Sequence, residues 1–189
     1  MAKVSGSSLI RVFVAVDMPD AVRKEIKRVQ DKIKELDLLE GSYVDHEKAH
    51  LTLRFIGYIE PSALPPIKKI LKNVKFGKID ACLGRLGAFG SKDSVRVIWI
   101  EVLSEQIVDL AKKISKELSF GKAQMQRPFQ AHLTLVRVKN AKDVVQLKEE
   151  LREIKIEPIE FSIDKFILKQ STLTSKGPIY ITLENYSMS

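Results

Sequence analysis

Residues 49–57 read AHLTLRFIG, and residues 131–139 read AHLTLVRVK. The shared tetrapeptide is His50-Leu51-Thr52-Leu53 in the first stretch and His132-Leu133-Thr134-Leu135 in the second, and it takes two of the chain's three histidines. Side chains alternate along a strand, so each copy turns two leucines toward a core and presents an imidazole beside a hydroxyl on the other face. A tetrapeptide recurs by chance in a chain of this length. What gives this one weight is its position in a repeated order of elements.

Before the first copy, Ile10–Val16 is apolar and β-branched and stops at Asp17–Pro19, which predicts a buried strand. Val22, Ile26, Val29, Ile33 and Leu36 then recur at helical spacing, and Gly41 and Ser42 break the chain. The strand His50–Gly57 follows, then a helix over Pro61–Val74, then an uneven strand region over Ile79–Phe89 punctuated by Gly84, Gly87 and Gly90. The order returns with a strand at Val95–Leu103 and a helix carrying Ile107, Leu110, Ile114 and Leu118. A polar break containing Gly121 and Pro128 leads to the strand Ala131–Val138, a helix on Val144, Leu147, Leu151 and Ile154, and closing strands at Glu160–Lys169 and Pro178–Glu184. RVFVAVDMPDAVRKEI from Arg11 aligns with RVIWIEVLSEQIVDLAKKI from Arg96, at an offset of 85 residues, and the two histidines lie 82 apart. Strand–helix alternation also fits a parallel doubly wound sheet. A duplicated unit with adjacent closing strands argues instead for an α+β fold. The expectation is a single bilobal domain over residues 1–189, with repeats at about 10–94 and 95–186. Two mixed or antiparallel sheets, flanked by helices, would enclose a central cleft.

The 189 residues suit one domain or two closely joined lobes, and 44% hydrophobic content is enough for a real core. Lys and Arg number 32 against 24 Asp and Glu, a net +8 that favours anionic partners such as RNA, although a Lys-rich solubilising surface gives the same figure. The single Cys82 excludes an internal disulfide framework and a Cys-rich zinc site. MAKVSGSSLIRVFVAV has no long apolar run with a small-residue cleavage site, and Val12–Val16 is too short to span a bilayer. A cytoplasmic chain with no membrane partner is expected.

Two His/Thr pairs converging on one cleft suit a phosphodiester. One imidazole removes a proton from the attacking water or hydroxyl, and the other donates one to the departing oxygen, since an unperturbed pKa of about 6.5 allows both roles. The Thr52 and Thr134 hydroxyls can hydrogen-bond non-bridging oxygens as charge builds on them. That chemistry asks for no metal and no cofactor. The bland alternative is a pair of half-buried histidines satisfied by backbone.

With both motifs, the opening RVFVAVDMP (11–19) and the closing LKQSTLTSKGPIY (168–180), the chain resembles the 2H phosphoesterases over nearly its whole length. Within them it is most similar to the archaeal and bacterial RNA 2′,3′-cyclic phosphodiesterases, also called 2′-5′ RNA ligases. The resemblance implies a bilobal fold and hydrolysis of RNA 2′,3′-cyclic phosphate ends to 2′-phosphates, with weak reversible 2′-5′ joining. tRNA fragments are among the substrates it suggests, and the protein is expected to be a monomer. It also implies His50 as the acid on the leaving oxygen, His132 as the base for water, and Phe55 and Arg137, five residues after each histidine, as a sandwich for the terminal base. Simple alternation puts Phe55 opposite His50, so that role requires a bulge or strand end, and it leaves Arg54 on the face of His50 as a rival phosphate contact.

Two other readings compete. His46-Glu47-Lys48-Ala49-His50 matches the H-E-x-x-H zinc signature, which needs both histidines on one face of a helix, and a strand pattern begins where that helix would run. A non-catalytic RNA-binding module fits the charge, but no ribonucleoprotein aromatic motif or glycine-clamp loop accompanies it.

Overall fold

The computed structural model describes residues 9–119, 128–175 and 177–188. Gly121, part of the expected polar break, lies outside them. Strand β1 (Ile10–Asp17) is apolar on both faces: Val12, Val14 and Val16 enter the main core, while Phe13 and Ala15 are buried on the other side. Helix α1 (Asp20–Glu35) buries Val22, Ile26, Val29 and Ile33, the stripe its spacing predicts.

The expected break at Gly41 and Ser42 is instead strand β2 (Leu39–Tyr43). Its five residues carry no alternation to read, because only its ends are partly buried. Gly41 is needed there: a Cβ would lie 2.6 Å from the Arg137 carbonyl of the neighbouring strand. A one-turn 3-10 helix (His46–Lys48) leads into β3 (His50–Ile59). A second such turn (Pro61–Ala63) opens α2 (Leu64–Lys72). The glycine-punctuated region is one long strand, β4 (Ile79–Ser91), paired with β5 (Ser94–Leu103). Helix α3 (Glu105–Glu117), β6 (His132–Ala141) and α4 (Val144–Glu153) follow. The single strand expected over Glu160–Lys169 is two, β7 (Glu160–Ile163) and β8 (Lys165–Thr174), because the chain changes sheets at Asp164. Strand β9 (Gly177–Ser187) closes the fold.

Two sheets result, one ordered β3-β1-β8-β9 and the other β2-β6-β5-β4-β7, and every pairing is antiparallel. Neither sheet coincides with one sequence repeat. The strand after α2 (β4) crosses to pair with β5, and β8, which lies beyond α4, returns to pair with β1. The helices exchange too: α1 contacts β6 of the five-stranded sheet, and α3 contacts β3 of the four-stranded one. The buried Gln30 amide fixes the first contact by donating to the Val44 carbonyl (2.7 Å) and the Leu135 carbonyl (2.9 Å). Strands β3 and β6, which carry the two repeated motifs, approach each other across the junction. Among the described residues no helix is long and apolar enough to cross a membrane.

Gly41→Ala forces β2 off β6 or shifts the Arg137 backbone, an overpacking cost of about 1–3 kcal/mol. Chemical denaturation measures it, and an unchanged midpoint would show that β2 is free to move.

Candidate active site

The residues that converge on the junction are selected by bulges. Thr52 pairs with Ala15 and Arg54 with Val14, so Leu53 is an extra residue in β3. Thr134 pairs with Trp99 and Val136 with Ile98, so Leu135 is its counterpart in β6. One extra residue reverses the alternation beyond it. His50, Thr52 and Phe55 therefore share one face, as do His132, Thr134 and Arg137. All six line one cavity of about 630 Å³ between the sheets. The bulge that Phe55 required is present. Arg54 is a correction: opposite Val14 of the core face it is out of phase with His50, although it still contributes to the cavity wall.

Each imidazole is held in the same way. Nδ1 of His50 lies 2.9 Å from the Lys48 carbonyl oxygen, and Nδ1 of His132 lies 2.8 Å from that of Gln130. A carbonyl only accepts, so each Nδ1 donates, and each Nε2 is left as the nitrogen that gains or gives a proton. Aromatic rings fix the ring planes. Phe13 and Tyr180 flank His50 with centroids at 5.1 and 4.9 Å, and Phe89 and Trp99 flank His132 at 5.0 and 6.0 Å.

Burial pushes both histidines below their ordinary pKa, and the bonds to backbone carbonyls only partly oppose it. The Arg137 guanidinium lowers both further. The two differ in one respect. Asp17 faces His50 across the β1–β3 pairing and works to raise it, while Lys169, which donates to Asp17 Oδ1 at 2.5 Å, opposes that effect. The position facing His132 is held by Glu101, whose carboxylate lies 3.6 Å from Arg85. Arg11 also lines the cavity, its guanidinium 5.7 Å from the Phe55 ring centre.

Sequence reasoning missed Arg11, Phe13, Phe89, Trp99, Tyr180 and the Asp17–Lys169 pair. Alternation from Asp17 back through Ala15, Phe13 and Arg11 would have found the β1 residues once β1 was known to lie beside β3. Nothing local announces Tyr180, which arrives through the β1–β8–β9 pairings. The H-E-x-x-H reading is corrected. His46 sits half-buried in a one-turn helix and His50 begins a strand, so the two do not share a helix face. Among the described residues no group of three or more His, Cys, Asp or Glu side chains is placed to hold a metal ion.

A family model described as LigT-like phosphoesterase matches residues 16–99 and 100–180. An RNA 2′,3′-cyclic phosphodiesterase of Archaeoglobus fulgidus is 35% identical over 90% of this chain and 96% of its own length. A protein of the same name from Methanocaldococcus jannaschii is 30% identical over 94% of this chain and the whole of its own. The crystal structure of a Thermus thermophilus protein superimposes with a TM-score of 0.78 at 25% identity, covering 94% of this chain and 97% of that one.

Nitrogen-detected NMR titration checks the histidine geometry. Both neutral rings should carry the proton on Nδ1, and both should titrate below about pH 6.5. The unfolded chain then takes up protons below that pH which the folded chain refuses, so these two groups make stability fall on acidification. A ring protonated on Nε2 when neutral, or one titrating above about 6.5, contradicts the structure.

Proposed function

This chain belongs to the LigT-like phosphoesterase family, and from that membership we propose that it opens RNA 2′,3′-cyclic phosphate ends to 2′-phosphates without a metal. The observation that carries the reading is the pair of Nδ1-anchored imidazoles, each beside a threonine, lining one cavity from two facing strands. The names of the archaeal relatives support the substrate class.

His132 Nε2 takes a proton from water as the water oxygen attacks phosphorus. The bond from phosphorus to O3′ breaks, and protonated His50 gives its Nε2 proton to O3′. The products are a 2′-phosphate and a free 3′-hydroxyl. His132 leaves the cycle protonated and His50 neutral, and exchange with solvent resets them. The direction rests on the family resemblance, because at His50 the lowering by Lys169 exceeds the raising by Asp17 and the electrostatics do not single His50 out as the acid. Burial leaves both rings short of charge in the free protein, but the anionic phosphate lying between them compensates when substrate binds. Thr52, Thr134 and Arg137 hold the non-bridging oxygens, where negative charge grows in the transition state. Phe55 and Arg137 offer an aromatic face and a guanidinium plane to the terminal base, contacts that tolerate any base. An RNA 5′-hydroxyl in place of water gives a 2′-5′ linkage by the same displacement.

His50→Ala and His132→Ala should each reduce kcat on a cyclic-phosphate RNA by about 10²–10⁴-fold while leaving the fold intact. Full activity in either variant removes that histidine from the mechanism. The wild-type pH–rate profile should be bell-shaped, with limbs that belong to the coupled pair. Excess EDTA should leave the rate unchanged, and the product should be the 2′-phosphate. Loss of activity with EDTA returns the site to a metal reading.

A further inference from the structure

We propose that the cleft continues beyond Phe55 into a second nucleotide subsite, formed by Arg11 and Tyr58, which holds the nucleotide 5′ to the cyclic phosphate end. This rests on the function proposed above and makes the substrate a chain end rather than a mononucleotide. Arg11 pairs with Tyr58 of β3 on one side and with Ser171 of β8 on the other, and Ser171 pairs with Tyr180. Directly opposed residues share a face, so these four make one row across the four-stranded sheet. Arg11, Ser171 and Tyr180 line the cavity that holds the two histidines, which fixes that face as the cleft face.

Tyr58 reaches the row through a second bulge. Phe55 pairs with Phe13 and Gly57 with Val12, so Ile56 is extra, and Gly57 takes φ +98°, a conformation open to glycine at little cost. Without it, Phe55 and Tyr58, three residues apart, would face opposite ways. With it they stand side by side, Phe55 58% and Tyr58 63% exposed, two large rings left uncovered on a cleft wall. The two rows are separated by two residues of β1, about 6.8 Å, a step that an extended single strand can take between successive bases.

The charges fit a phosphodiester between those bases. Among the described residues Arg11 makes no ion pair, and its guanidinium lies against the Phe55 ring. A cation that pairs across from Tyr58, lies over the Phe55 ring and makes no ion pair among the described residues suits the linking phosphate, with Tyr58 stacking on the upstream base.

The test compares adenosine 2′,3′-cyclic phosphate with the dinucleotide ApA ending in a 2′,3′-cyclic phosphate. In the wild type, kcat/KM should be about tenfold or more higher for the dinucleotide. Tyr58→Ala should abolish that preference and leave the mononucleotide rate unchanged, while Tyr58→Trp keeps it. Arg11→Gln should flatten the salt dependence of the dinucleotide reaction by about one charge. Equal rates on the two substrates, or equal losses on both in Tyr58→Ala, overturn the subsite and leave the reaction standing. Turnover of neither substrate overturns the reaction instead. Equilibrium binding of the two corresponding 2′-phosphates to wild type and Tyr58→Ala then decides the subsite, and equal affinities would sink it.

Discussion

Everything at the cleft depends on two strands facing each other from different sheets with their leucines turned away. Leu51, Leu53, Leu133 and Leu135 are all buried, and burying a leucine fully is worth about 1.5–3 kcal/mol relative to exposing it. That preference fixes which face of β3 and of β6 points inward to the core, and so which face is left for His50, Thr52, His132 and Thr134. A slip of one residue in either strand would bury an imidazole and expose the leucines, which is why register here is a chemical requirement.

The exchange of elements keeps those two faces opposed. Each repeat sends two strands into the other's sheet, β2 and β4 from the first and β8 and β9 from the second, and a helix against the other's motif strand, so the lobes are tied by chain crossings as well as by packing. Gln30 illustrates the coupling. From a helix that follows β1, it satisfies the carbonyl of Leu135, the extra residue of the bulge in β6. That carbonyl also accepts from the Val44 backbone N–H at 2.9 Å, so the buried amide ties the helix to both the bulge and the segment after β2.

Electrostatics follow from that frame. The cavity removes two imidazoles from much of their water and sets a guanidinium near both, an arrangement that opposes protonation until an anion arrives. Tyr180 stands between Arg11, Arg137 and Lys48, all of which favour negative charge there, so the cleft is cationic well beyond the two histidines. The Asp17–Lys169 pair distinguishes the two rings, since it acts on His50, where the lysine lowers the pKa more than the carboxylate raises it.

The tetrapeptide, its recurrence and the helical stripes were legible because they are local: alternation and a 3.6-residue period express burial on one face, whatever the partner is. The α+β class and the pairing of His50/Thr52 with His132/Thr134 follow from the repeated order of such local patterns, and the bulge before Phe55 from the role that the family resemblance implies for that residue. Strand β2 was not legible, since LEGSY has no alternation and forms only because β6 offers it an edge. The position of Arg54 was not legible either, because a bulge is a relation between two strands and Leu53 looks like any other strand leucine. Tyr180 and Ser171 reach the cleft through pairings between the two ends of the chain, β1 with β8 and β8 with β9. Such pairings are decided by which edges remain free after the core closes. The sequence by itself determined the two His/Thr pairs, while the tertiary structure decided what surrounds them, because periodicity records burial on a face but not the identity of the neighbour across it.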